Sequence, residues 1–170
     1  VLIDVPTGQV LTTITRHDRS ATALVTASDG TWVASGSWNA QIRVWHSPTG
    51  EQSLLAGHHA PVQALAVSPD NDLLASGGDD ALVIIWNPFT GRAVHQITAH
   101  ASPVRALTFS PDGQVLVTSS WDGTIRVWDV ATGQAVTAIR INGWIGSLVV
   151  TRDKVIAAGR HGPYIFDLVR

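Results

Sequence analysis

Two sets of residues in this chain have the composition of a hydrolytic triad. His58, Ser76 and Asp80 supply an imidazole, a hydroxyl and a carboxylate, and His100, Thr118 and Asp122 repeat the set with threonine as the hydroxyl. In a working triad the imidazole takes the hydroxyl proton, the carboxylate holds the ring, and the oxygen attacks a carbonyl. A third set, His17, Ser35 and Asn39, carries an amide in place of the carboxylate. This recurrence argues against catalysis, because an enzyme needs one activated nucleophile facing an oxyanion hole, not equivalent copies. A relay that satisfies buried polar groups accounts for the same residues. An indole N–H only donates, a hydroxyl and an imidazole do both, and a carboxylate accepts. Trp45, Trp86 and Trp128 each stand 28 residues after the histidine and complete the sets of four. Asn39 is expected to accept through its amide oxygen without charge assistance, which makes the first set the weaker one.

The elements that position these sets follow from a tandem repeat. Ile42-Arg43-Val44-Trp45, Val83-Ile84-Ile85-Trp86 and Ile125-Arg126-Val127-Trp128 align, with tryptophans 41 and 42 residues apart, and His17, His58 and His100 share the period. Thr-Gly recurs at residues 7–8, 49–50, 90–91 and 132–133, at turn positions. The segments between are too short for helices and rich in Val, Ile, Leu and Thr, so they are predicted to be strands. In the third unit Val104–Phe109 leads through Ser110-Pro111-Asp112-Gly113 to Val115–Ser119, then to Thr124–Asp129 and Gln134–Ile139. Four antiparallel strands per unit with apolar residues on both faces must stack on neighbours, and radial stacking of such sheets makes a propeller. The units are placed at about 15–56, 57–98, 99–140 and a degenerate 141–170, after a partial outer strand within 1–14.

Trp128-Asp129 closes the third unit with a dipeptide that resembles the signature of the WD-repeat β-propeller family. Trp45-His46 and Trp86-Asn87 keep the tryptophan and lose the aspartate, whereas Phe166-Asp167 does the reverse. The resemblance covers nearly the whole chain and implies an all-β propeller of four-stranded antiparallel blades. It also implies that the sets of four are structural tetrads tying strands within a blade. The residue before the tetrad acid and those just after the tetrad histidine line the top face in that family. By this carry-over Trp38, Asp79, Trp121, His59 and Trp144 are expected to face a partner; Trp144 falls in the slot of Pro61 and Pro103. Trp32, in register with Leu73 and Val115, reads as core. Exposed tryptophan is enriched among residues that dominate binding energy.

The rest of the composition narrows the partners. The 170 residues are 45% hydrophobic and 14% charged, which is globular rather than disordered, and the net charge is −2. Lys and Arg are scattered, so neither nucleic acid nor an anionic membrane is favoured. Without cysteine there is no disulfide framework or thiolate metal site. No cofactor or metal is implied. His59 and Asp79, the only members of the His58-His59 and Asp79-Asp80 group outside the tetrad, are too few for a metal, and Asp70-Asn71-Asp72 occupies a turn slot rather than a calcium loop. No apolar run approaches a membrane span and no leader is visible, which gives a cytoplasmic setting as the default.

Function is therefore expected on the loops at the ends of a rigid scaffold. The reading preferred is a non-enzymatic platform for partner peptides or domains, of the kind that accompanies signalling or ATPase domains. A propeller binding a sugar or other small molecule through the same tryptophans is the alternative, and a hydrolase the third. The sixteen expected strands amount to four blades. The chain starts at Val1 without an initiator Met. A segment of a longer propeller, a two-chain eight-bladed ring and a closed four-bladed ring are the three arrangements considered.

Overall fold

The computed structural model describes residues 2–3, 6–12, 17–47 and 49–168. Short runs of β-branched and apolar residues suit a pleated, half-buried surface, and each becomes a strand. At the start, β1 (Leu2–Ile3) pairs antiparallel with β2 (Val10–Thr12). Asp4, Thr13 and Ile14, expected at the ends of these strands, lie outside the described residues.

The first complete sheet contains β3 (Ala21–Thr26), β4 (Trp32–Ser37), β5 (Ile42–His46) and β6 (Gln52–Leu55). The second contains β7 (Val62–Val67), β8 (Leu74–Gly78), β9 (Leu82–Asn87) and β10 (Arg92–Thr98). The third contains β11 (Val104–Phe109), β12 (Val115–Ser120), β13 (Thr124–Asp129) and β14 (Ala135–Arg140). A last sheet has three strands, β15 (Ile145–Val150), β16 (Lys154–Gly159) and β17 (Gly162–Asp167). Within every sheet each strand pairs antiparallel with the next in sequence, the meander of a propeller blade.

The turns obey local backbone chemistry. The Thr-Gly glycines at 8, 50, 91 and 133 have φ of 68–70°, a region most side chains avoid. The Gly133 N–H donates to the Asp129 carbonyl at 2.8 Å, and Gly50 and Gly91 close the same turn onto His46 and Asn87. Asp70 caps its hairpin by accepting from Ser68 Oγ and the Asp72 N–H, the work of a turn residue.

The core lies between the sheets. Trp32, Ile42 and Val44 of the first blade pack with Val62, Leu65 and Ile84 of the second. Val83 and Ile85 meet Val104, Leu107 and Leu116 at the next interface, and Ile125 and Val127 meet Ile145 and Val155 at the third. Trp32 is wholly buried, and its indole N–H donates to the Asn71 carbonyl at 3.0 Å, linking the first blade to the second. The repeat of this packing is a knob in a socket. A Cβ on Gly36 would lie 2.7 Å from Val62 Cγ1, and one on Gly77 would lie 2.5 Å from Val104 Cγ1. Leu65 and Leu107, the knobs of the second and third blades, are 9% and 7% exposed, whereas Leu24 at the same position of the first blade is 72% exposed. The described residues thus leave the outer face of the first blade open.

Candidate functional site

The second and third blades each assemble one complete relay. Trp86 Nε1 donates to Ser76 Oγ at 2.8 Å, Ser76 Oγ lies 2.8 Å from His58 Nε2, and His58 Nδ1 faces both Asp80 oxygens at 3.0 Å. An ionised carboxylate only accepts, so His58 Nδ1 is the donor to Asp80. In the third blade Trp128 Nε1 donates to Thr118 Oγ1 at 2.9 Å, which lies 2.8 Å from His100 Nε2, and His100 Nδ1 lies 3.1 Å from Asp122. The carboxylates also fasten the chain ahead of each blade. Asp80 accepts from the His59 N–H, and Asp122 from the Ala101 N–H. The hydroxyl, imidazole and carboxylate have the order of a triad, but Ser76 and Thr118 are wholly buried and each accepts an indole N–H. A nucleophile so placed is closed to a substrate carbonyl.

The first blade departs from the sequence expectation. His17 Nε2 reaches Ser35 Oγ at 2.7 Å, but Asn39 does not accept from His17. Its oxygen accepts the Gln41 N–H, and its Nδ2 donates to Gln41 Oε1 at 3.0 Å. His17 Nδ1 is left buried without a partner, and among the described residues no hydrogen bond joins Trp45 to Ser35. A neutral amide has no charge to draw it toward the imidazole, and the neighbouring Gln41 amide offers it a matched pair. Asn39→Asp is therefore expected to stabilise the chain by about 0.5–1.5 kcal/mol, the net worth of one new hydrogen bond. Denaturant midpoints of both proteins check this, and an unchanged midpoint would mean that the carboxylate stays on the Gln41 side.

The relays make stability depend on acid. Burial lowers the titration of His17, with Arg43 adding to it, and burial lowers that of His100 despite the opposing Asp122 charge. Burial alone would raise the Asp122 carboxyl, but hydrogen bonds from Thr124, the Ala101 N–H and the His100 charge outweigh it and bring it down to about 2. Asp80 is lowered in the same way: burial is overcome by His58 and by the N–H groups of His59 and Leu82. All four groups bind protons less readily folded than unfolded, so each contributes stability above its unfolded value that is lost as pH falls. Midpoints are expected to drop first below the ordinary histidine value of 6.5, and again from the ordinary aspartate value of 3.8 toward about 2. A flat profile from neutral pH down to about 4 would contradict the burial of neutral imidazoles.

Three rows of equivalent residues form the end of the blades where the relays terminate. The residue after each second strand folds back onto the preceding loop: the N–H groups of Trp38, Asp79, Trp121 and Arg160 donate to the carbonyls of Ser20, Pro61, Pro103 and Trp144. This places Trp144 in the slot of the two prolines and adds Arg160 to the row of Trp38, Asp79 and Trp121. A third row comes from β-bulges. The pairing slips by one residue between Ala21 and Ala23, Val62 and Ala64, Val104 and Ala106, and Ile145 and Ser147. The extra residues are Thr22, Gln63, Arg105 and Gly146. A bulge re-aims its side chain out of the pleat. Thr22 Oγ1 accordingly donates to the Val62 carbonyl of the next blade, Gln63 Nε2 donates to Asp79 Oδ2 at 2.9 Å, and Arg105 reaches two residues of the adjoining row.

Arg105 stacks 4.6 Å from the centre of the Trp121 ring and places Nη1 3.8 Å from Asp79 Oδ1. Trp121 and Trp144 remain 54% and 47% exposed, and both line an open cleft of about 780 Å³ with Arg105, Arg140, Asn142 and Gly143. Gly146 makes room for the second indole, since a Cβ there would lie 3.0 Å from Trp144 Cζ3. Of the five residues expected to face a partner, Trp121 and Trp144 share the cleft, and Asp79 is joined to it through Arg105. Trp38, 55% exposed, and His59 stand at the same end outside the cleft lining. Among the described residues no group of three metal-ligating side chains comes together, and no helix is long and apolar enough to cross a membrane.

Segments 8–46, 50–87 and 91–129, well over half of the chain, match the family described as WD domain, G-beta repeat. The chain belongs to the WD-repeat family. The computationally designed Ika4 protein is 28% identical, with a TM-score of 0.87 over 95% of this chain and 99% of that one. The structures of U3-55K and of the RRP9 WD40 repeats are each 24% identical with a TM-score of 0.81 over 89% of this WD-repeat chain. The chain spans about half of their length, 53% and 52%. Among curated proteins none matches.

Proposed function

We propose that this chain is a non-enzymatic interaction scaffold whose partner docks at the end of the blades carrying Trp121 and Trp144. The observation that carries the reading is the cleft itself. Two half-exposed indoles, one already stacked with a guanidinium, line one concavity on a scaffold held by buried relays. Large aromatic rings with few rotatable bonds and planar guanidinium groups are the usual anchors of binding energy. The complete relays bury their hydroxyls, so the polar chemistry of these blades supports structure and leaves the end loops for recognition. U3-55K and RRP9 share the WD-repeat fold, which this reading treats as a platform.

Selection of a random peptide library on the immobilised chain tests the proposal. Bound clones are expected to lose roughly tenfold or more in affinity on Trp121→Ala or Trp144→Ala, the scale of a binding hot spot. Clones indifferent to both changes would reject this surface. A cleft of about 780 Å³ also falls in the range of small-molecule sites, so the second reading is a sugar or other ring-bearing ligand stacked on the same indoles. Displacement of selected peptides by free sugars, and not by scrambled peptides, would favour it.

A further inference from the structure

Resting on the use of this cleft by a protein partner, we propose that it takes an acidic stretch of peptide in which an Asp or Glu stands beside an aromatic or large apolar residue. The argument is a charge inventory of the cleft and its rim. Its one lining carboxylate, Asp122, is spent: one oxygen accepts from the Thr124 N–H and Oγ1, and the other from His100 and the Ala101 N–H. Arg105 is half-neutralised by Asp79 at 3.8 Å and turned over the Trp121 face. Arg140, in the lining, makes no side-chain hydrogen bond or ion pair among the described residues. Arg160 stands beside Trp144 through its own N–H and is exposed and equally unengaged among them. The uncommitted charge of the cleft is therefore positive and lies on the Trp144 side.

Guanidinium groups bind carboxylates through paired, charge-assisted hydrogen bonds, roughly twice as strong as neutral ones. The two half-exposed indoles of the same cleft add apolar surface to that charge, which suits a side chain next to the acid rather than an isolated anion. A nucleic acid strand also combines charge with rings, but it needs a basic track along its backbone. This chain has 11 Lys and Arg against 13 Asp and Glu, and three guanidinium groups at one cleft do not make a track.

The same peptide selection decides the matter when the sequences of the clones and their response to charge are read. Clones that need Trp121 and Trp144 are expected to be enriched in Asp or Glu next to an aromatic residue. Their affinity is expected to fall about tenfold when the acid is changed to its amide, and by a similar factor on Arg140→Gln or Arg160→Gln. It should also weaken between about 0.05 and about 0.5 M salt, as partly exposed charge pairs do. Clones that need the two tryptophans but show no acid enrichment would overturn the acidic preference and leave the docking surface standing. Clones that ignore the tryptophans would overturn both. Oligouridylate that binds the chain and is lost on Arg140→Gln, with no peptide selected, would overturn the proposal in favour of single-stranded nucleic acid. Circular dichroism of each variant separates loss of binding from loss of fold.

Discussion

Truncating Trp86 to alanine is expected to lower stability by about 3–5 kcal/mol, the cost of emptying a buried aromatic site. The ring is 2% exposed and fills the space over Gly57, whose hypothetical Cβ would lie 2.8 Å from Trp86 Cη2. Its loss also removes the donor that holds Ser76 Oγ between the indole and His58. Phenylalanine separates volume from hydrogen bonding. Trp86→Phe is expected to cost about 1 kcal/mol more than Trp45→Phe, because only Trp86 donates into a relay. Neighbouring blades in such arrays unfold partly independently, so hydrogen exchange at β8 and β9 should accompany the denaturant titration. Equal costs for the two phenylalanine variants would show that the indole N–H contributes nothing.

The second large effect is steric. Gly77→Ala places a methyl group 2.5 Å from Val104 Cγ1, 2.9 Å from its Cβ and 3.1 Å from Leu107 Cδ2. The obstacle is a β-branched side chain on a strand rather than the free end of a flexible one, so the third blade must shift. Overpacking of this kind costs about 1–3 kcal/mol. Val104→Ala alone should also destabilise, by opening a cavity. The double variant is expected to be more stable than the sum of the two losses, since the new methyl group occupies the space that the valine gives up. Strict additivity in denaturant midpoints would mean that the blades do not meet at this position.

Much of this architecture is legible in the sequence because the repeat registers chemistry as well as length. His58, Ser76, Asp80 and Trp86 recur with the spacing of His100, Thr118, Asp122 and Trp128, and a pattern that satisfies every donor and acceptor has few alternatives. Three strand boundaries of the third unit differ from those expected, each by a single residue, at Ser120, Ala135 and Arg140. Asn39 is the instructive failure. Its position in the register is right, but the partner it takes is decided by Gln41, two residues on, and spacing carries no information about that competition.

The cleft is half legible. Trp121 and Trp144 follow from register, but Arg105 depends on a β-bulge, where a one-residue slip turns a side chain that alternation would assign to the sheet into one that serves the end loops. The recurrence of Thr22, Gln63, Arg105 and Gly146 was a usable signal, because each directly follows the first residue of a blade. Arg160 lacked one. Its unit has neither the histidine nor the tryptophan that sets the register elsewhere, and only the hydrogen bond from its N–H to the Trp144 carbonyl assigns its row.

The central claim is that polar chemistry inside the blades is structural and that recognition belongs to the exposed end. The indole N–H resonances of the seven tryptophans report on both halves at once. In a spectrum of the chain labelled with nitrogen-15 at tryptophan, Trp86, Trp128 and Trp32, each donating to an internal acceptor, should exchange slowly with solvent, and Trp38, Trp121 and Trp144 quickly. On addition of a selected peptide, Trp121 and Trp144 should shift and gain protection while Trp86 and Trp128 stay in place. Fast exchange at Trp86 and Trp128, or a peptide that moves their signals and leaves Trp121 and Trp144 unchanged, would contradict it.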